Sequence, residues 1–187
     1  MIRRLKKYIS NYLCHAIITH TSFERGYGIV PARFILSINR FGKDYLLEIE
    51  SNFRILKNGK SILVFDDMFL DRCCHELSIE EYQSQREIEK SLLFQNLCNF
   101  NSICSHKRIN RVSISRCGDI KLFVQHNIEL QILNDSHNVD DVIVRLKDCQ
   151  RSEDYTTKNG TVKKLLSTVF EVRNTNESEL LLSWDCN

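Results

Sequence analysis

Apolar positions change their period several times along the chain, and each change marks an element. Ile2, Leu5, Ile9, Tyr12 and Leu13 recur at helical steps with Arg and Lys between them, which predicts a short amphipathic N-terminal helix. From residue 33 the period shortens. Phe34–Asn39 and Tyr45–Glu50 are β-prone runs around Arg40-Phe41-Gly42-Lys43-Asp44, and Phe53–Leu56 and Ser61–Phe65 flank Lys57-Asn58-Gly59-Lys60. A short Gly-containing loop predicts the first hairpin; Asn-Gly, whose residues both tolerate positive φ, predicts the second. Residues 33–65 therefore read as a meander of about four strands.

Ser78-Ile79-Glu80-Glu81 then has the form of a capping box, in which the Ser accepts from a helical N–H and Glu81 reaches back to the cap. It predicts a main helix from Ile79 to Leu97, buried along Ile88, Leu92 and Leu97. Strand patterning returns at Val112 and Ile114, Ile120–Val124, Ile128–Leu133 and Val142–Leu146, then at Val169–Val172 and Leu180–Trp184, with turns at Cys117-Gly118-Asp119 and His126-Asn127. Val162–Leu166 fits helix or strand. The expected fold is α+β: two antiparallel sheet-rich lobes in the order meander, helix, meander, with one main helix and a short N-terminal helix. Residues 34–56 and 112–133 share the order strand, turn, strand, strand, which adds a duplicated unit to the expectation. One proline and no Gly/Ser-rich linker favour a single globular domain, 1–187, with lobes 14–77 and 107–187 joined by a helix over 78–98.

Composition narrows the class. In 187 residues, 42% are apolar and the net charge is only +2, a balance that supports a packed core and excludes disorder. Charge is unevenly placed: residues 1–30 carry five Lys/Arg and one Glu, whereas residues 66–90 carry eight Asp/Glu and three Lys/Arg. Such polarity steers charged partners. Tyr8–Ile18, behind the basic start, has no unbroken apolar run or small-residue cleavage site, and no window reaches the length of a membrane span. The expectation is a cytoplasmic protein without membrane insertion, its eight cysteines reduced.

Each candidate chemistry has a plainer reading. Cys73-Cys74-His75 and Cys98…Cys104-Ser105-His106 offer thiols and imidazoles, but structural zinc sites place ligand pairs two to four residues apart on turns. No metal or cofactor is expected. Gly-x-Ser-x-Gly is absent, and Gly26-Tyr27-Gly28 lacks the third glycine of a phosphate loop. Asp66-Asp67 ends a strand without a neighbouring His or further carboxylate pattern, so it reads as turn chemistry. The aromatics Phe34, Tyr45 and Phe53 sit among Ile and Leu, as core rather than as an RNA-stacking face.

Two stretches carry a family resemblance. Ser51–Asp67 runs strand, aromatic-Arg-apolar (Phe53-Arg54-Ile55), turn, strand, acidic end; Gly118-Asp119-Ile120-Lys121-Leu122-Phe123 is followed by Ile128–Leu133. These segments resemble small bacterial immunity-type proteins of polymorphic toxin and contact-dependent inhibition systems, with Phe53 standing where that family usually has Trp. The resemblance implies a non-enzymatic antitoxin that binds and neutralises a cognate protein toxin domain, such as a nuclease. A basic nuclease cleft would suit an acidic inhibitory face, and Asp66, Asp67, Asp71, Glu76, Glu80 and Glu81 are the expected partner-binding residues. Two alternatives stay open: a nucleic-acid or membrane-surface adaptor using Arg3, Arg4, Lys6 and Lys7, and a hydrolase or metalloenzyme using the Cys, His and Asp residues.

Overall fold

The computed structural model describes residues 2–24, 32–78, 91–115, 117–134, 142–156, 162–174 and 180–183. Helix α1 (Ile2–Leu13) leads into β1 (Ile17–Glu24), β2 (Arg33–Arg40), β3 (Lys43–Ile49), β4 (Phe53–Lys57) and β5 (Lys60–Val64). A 3-10 turn, Phe65–Phe69, and helix α2 (Leu92–Cys104) precede β6 (Ile109–Ile114), β7 (Ile120–Val124), β8 (Ile128–Ile132), β9 (Val142–Thr156), β10 (Val162–Asn174) and β11 (Leu180–Ser183). One antiparallel sheet has the order β1-β2-β3-β9-β10-β11, the other β5-β4-β8-β7-β6.

Alternation decides which faces meet. Phe34, Leu36 and Ile38 of β2, Tyr45, Leu47 and Ile49 of β3, and Val144 and Leu146 of β9 are buried because side chains two apart share a face. They join Phe53, Ile55, Leu122, Leu130 and Ile132 of the second sheet in one continuous core. Phe34 and Phe53 stack across it at 4.5 Å, and Phe100 of α2 tilts against Phe34 at 6.4 Å. The tight turns follow the sequence signals: Phe41-Gly42, Asn58-Gly59 and His126-Asn127 all have positive φ, the geometry that matches hairpin twist.

The chain runs twice through one topology: helix, three-strand meander, two-strand hairpin. The meander β1-β2-β3 accepts β9 and β10, and the meander β6-β7-β8 accepts β4 and β5. Each half thus gives its hairpin to the other half's sheet. The junction of the two meanders has the same symmetry. The His15 N–H donates to the Ile109 carbonyl and the His106 N–H to the Ile18 carbonyl, both at 2.7 Å. The Ile109 N–H donates to Ala16 and the Ile18 N–H to Lys107, both at 2.9 Å. His15 and His106 each leave their helix with positive φ, 68° and 62°.

The α+β class, the antiparallel sheets and, among the described residues, the two helices agree with the sequence reading. Sheet membership is the difference, since each sheet draws strands from both halves. The internal match shifts by one strand: β2-β3 corresponds to β7-β8, not to β6-β7. Strand β1 had no signal, and Val162–Leu166 is strand. The main helix also differs in its described part. Ser91 is extended at ψ 151° and its Oγ accepts from the Phe94 N–H at 3.2 Å, so a new helix is capped there and runs to Cys104 rather than ending at Leu97. The earlier part of the expected helix, residues 79–90, lies outside the described residues.

Candidate partner-binding site

Helix α2 closes the slot between two sheet edges, β1 and β5, and does so with asparagines. The Asn101 side chain takes the place of a neighbouring strand for Thr21. Its Oδ1 accepts from the Thr21 N–H and hydroxyl, and its Nδ2 donates to the Thr21 carbonyl, each at 2.7 Å. On the other side, the Asn96 Nδ2 donates to the Asp67 Oδ2 at 2.8 Å, which also accepts from the Val64 N–H at 3.1 Å. Asp67 thereby ties the end of β5 to α2.

Between β5 and α2 lies a groove of about 720 Å³ whose walls include Ile62, Val64, Asp67, Asn96, Asn99 and Ile103. A smaller cleft of about 310 Å³ lies between β1 and α2, beside His20, Phe23, Phe94 and Cys98. Asp67 is only 8% exposed, and the hydrogen bonds it accepts come from neutral donors. Asp66, its neighbour, is exposed.

The segment after the 3-10 turn folds back on α2. The Leu77 N–H donates to Phe69 at 2.8 Å and the Leu92 N–H to Leu70 at 2.9 Å. Within it the Asp71 Oδ1 accepts from the Cys73 and His75 N–H groups at 2.7 and 2.9 Å, and its Oδ2 lies 3.4 Å from the His75 Nδ1. Those backbone bonds, the one from His75 above all, hold the Asp71 carboxyl below the usual range. Glu76 is exposed. Four expected partner residues therefore lie close in sequence, Asp66 and Asp67 in the 3-10 turn and Asp71 and Glu76 in the segment after it; Glu80 and Glu81 lie outside the described residues.

The thiols and imidazoles are dispersed. Cys73, Cys74, Cys98 and Cys117 are exposed and Cys104 is buried, where desolvation pushes its thiol up to about 12. Cys98 thus faces away from the core despite the apolar run around it. Among the described residues, no three His, Cys, Asp or Glu side chains converge on a point. On α1, Arg4, Lys6 and Lys7 are exposed while Leu5 and Ile9 are buried. No described helix is long and apolar enough to cross a membrane.

A second charged cluster went unread in the sequence. On the outer face of the first sheet, Arg145 of β9 reaches Glu50 at 3.0 Å, Glu48 at 3.4 Å and Glu171, while Lys147 reaches Glu48 at 2.7 Å. The register aligns Glu48, Arg145 and Glu171 in one cross-strand row. Burial alone would lower the Arg145 pKa; the hydrogen bond to Glu171 and the three carboxylate charges more than offset it. The same burial holds the Glu50 carboxyl above its usual range, against the pull of Arg145 and Arg33. The row joins β3 of one half to β9 of the other and so reads as a clasp within the fold.

Comparison with family models, with curated proteins and with solved structures finds no match.

Proposed function

We propose that this chain is a non-catalytic immunity protein that neutralises a protein toxin by direct contact, through the acidic segment Asp66–Glu76 and the groove beside it. One observation carries the reading: a carboxylate more than nine-tenths buried, Asp67, lines a wide groove and accepts its hydrogen bonds from uncharged groups. The exposed Asp66 and Glu76 add long-range attraction for a basic surface, which raises association rates. The family resemblance of Ser51–Asp67 covers the same stretch.

A toxin encoded beside this chain is the natural test. Its expression alone should arrest growth, and coexpression of this chain should restore it. With Asp66→Lys and Glu76→Lys introduced, association should slow at least tenfold at low salt and lose most of its salt dependence. An encoded neighbour without toxicity, or rescue without complex formation, would overturn the reading. The exposed Arg4, Lys6 and Lys7 support a second reading, a polyanion-binding adaptor; salt-sensitive binding to nucleic acid or anionic vesicles would favour it.

A further inference from the structure

The symmetry of the fold makes one sheet edge conspicuous. Under the repeat, β5 corresponds to β10, since each is the second strand of an exchanged hairpin. Strand β10 does not end its sheet: β11 pairs with it from Glu171↔Ser183 to Asn174↔Leu180. Strand β5 does end its sheet, and among the described residues its only strand partner is β4. The fold itself therefore demonstrates what the outer edge of such a hairpin accepts.

Local geometry agrees. The Val64 N–H points away from β4, because it donates to the Asp67 carboxylate. The ladder to β4 is bulged at Ile62, since Ile55 pairs with Leu63 and Leu56 with Ser61. Alternate residues of β4 turn their N–H and C=O groups the same way, so Ser61, opposite Leu56, presents both groups outward as Val64, opposite Arg54, does. The groove opens along this edge, with α2 as its far wall. Apolar side chains from both walls line it together with Ser61, Asp67, Asn96, Asn99 and Ser102. An incoming strand would turn alternate side chains toward that groove, and a basic one would meet the buried Asp67 charge. Among the described residues no Lys, Arg or His ion-pairs with it.

We infer that the β5 edge takes an extended segment of a protein partner as a sixth strand, with a Lys or Arg of that segment seated in the groove against Asp67. This deepens the immunity reading and rests on it for the partner's identity. The main-chain ladder gives affinity and the groove selects side chains, as in other strand-addition complexes.

Two variants of the full chain test it. Ser61→Pro removes the outward N–H and obstructs an added strand without touching the hydrogen bonds to β4; Asp67→Asn keeps the side-chain shape and the acceptor for Val64 but removes the charge. The probe is a soluble ten-residue peptide of alternating Thr and Val with a central Lys, titrated into the isotopically labelled protein. Amide shifts should concentrate at Lys60–Val64 and Asn96. Affinity should fall at least tenfold when the central Lys becomes Glu, and likewise in Asp67→Asn and Ser61→Pro. Failure of the Lys peptide to move these amides at millimolar concentration, or equal binding of the Lys and Glu peptides, would overturn the inference. If Ser61→Pro unfolds, Asp67→Asn and the peptide pair still decide it. The two readings separate cleanly: growth rescue that survives both variants overturns the strand site but not the immunity function, whereas peptide binding at β5 without a toxic partner overturns the immunity function but not the strand site.

Discussion

Arg145 holds three carboxylates that belong to two strands on either side of it, and two of those carboxylates, Glu48 and Glu171, are nearly sealed from water at 4% and 7% exposure. Removing the cation takes a partner from all three carboxylates in a poorly solvated place, with Lys147 and Arg33 left on Glu48 and Arg173 on Glu171. Arg145→Ala should lower the unfolding free energy by about 3 kcal/mol, the low end for breaking a buried pair because the guanidinium keeps some solvent; urea denaturation measures it. Glu50 behaves in the opposite sense. With its folded pKa above the unfolded value, the native state binds more protons than the unfolded chain, so stability falls as pH rises through the carboxylate range. Glu50→Gln should match the parent below about pH 4 and exceed it at neutral pH, with Glu48 and Glu171 still pairing Arg145. A parent more stable than the variant at pH 7 would mean that the Arg145 attraction outweighs the burial cost. None of this was legible beforehand: Glu48 and Arg145 lie far apart in sequence, and alternation names a face without naming the strand that will lie alongside.

The elements show where local signals suffice. Asn58-Gly59 and His126-Asn127 were read correctly because a tight turn depends on the backbone freedom of its own residues. Strand β1 was missed because, of its eight residues, only Ile18 and Thr21 are buried; Thr21 is polar, satisfied by Asn101 rather than by a neighbouring strand. Helix α2 runs past the expected end at Leu97 because its apolar stripe, Leu93, Leu97, Phe100 and Cys104, continues to Cys104. A clue was present in Asn96, Asn99 and Asn101, poor helix formers in so short a span and two of them bonded to sheet-edge segments. Asn101→Ala would leave the Thr21 N–H and C=O unpaired beneath the helix, costing about 1–3 kcal/mol. Amide exchange should quicken in β1 around Thr21 before it changes elsewhere; uniform acceleration across both sheets would assign Asn101 only a global role.

At the scale of the whole molecule, the exchange of hairpins makes the halves interdependent. Unfolding residues 1–78 would remove three strands from one sheet and two from the other, exposing both sides of the shared core. The chain should therefore unfold in a single transition. Far-UV circular dichroism reports all the strands; the near-UV tyrosine signal reports Tyr8 and Tyr12 of α1, packed against Phe170 and Tyr45. Their urea midpoints should coincide, and separated midpoints would show that the halves part before they melt. The many pairings between distant residues also predict refolding in milliseconds to seconds rather than microseconds. The sequence hinted at the repeat through its returning strand-turn-strand pattern, yet the pairing of β3 with β9 and of β4 with β8 had no local signature, since either hairpin would satisfy the same alternation in its own half.

Two identical subunits related by a two-fold axis must present every surface twice, and a ligand that suits one copy suits the other. Here the two-fold relation lies within one chain, so its halves were free to diverge. One outer edge is occupied by β11 and the other stands beside Asp67. The molecule has the symmetry of a dimer but the valence of a monomer: it should bind its partner one to one, with a linear isotherm and no cooperativity, and light scattering of the saturated complex should give the mass of a single pair.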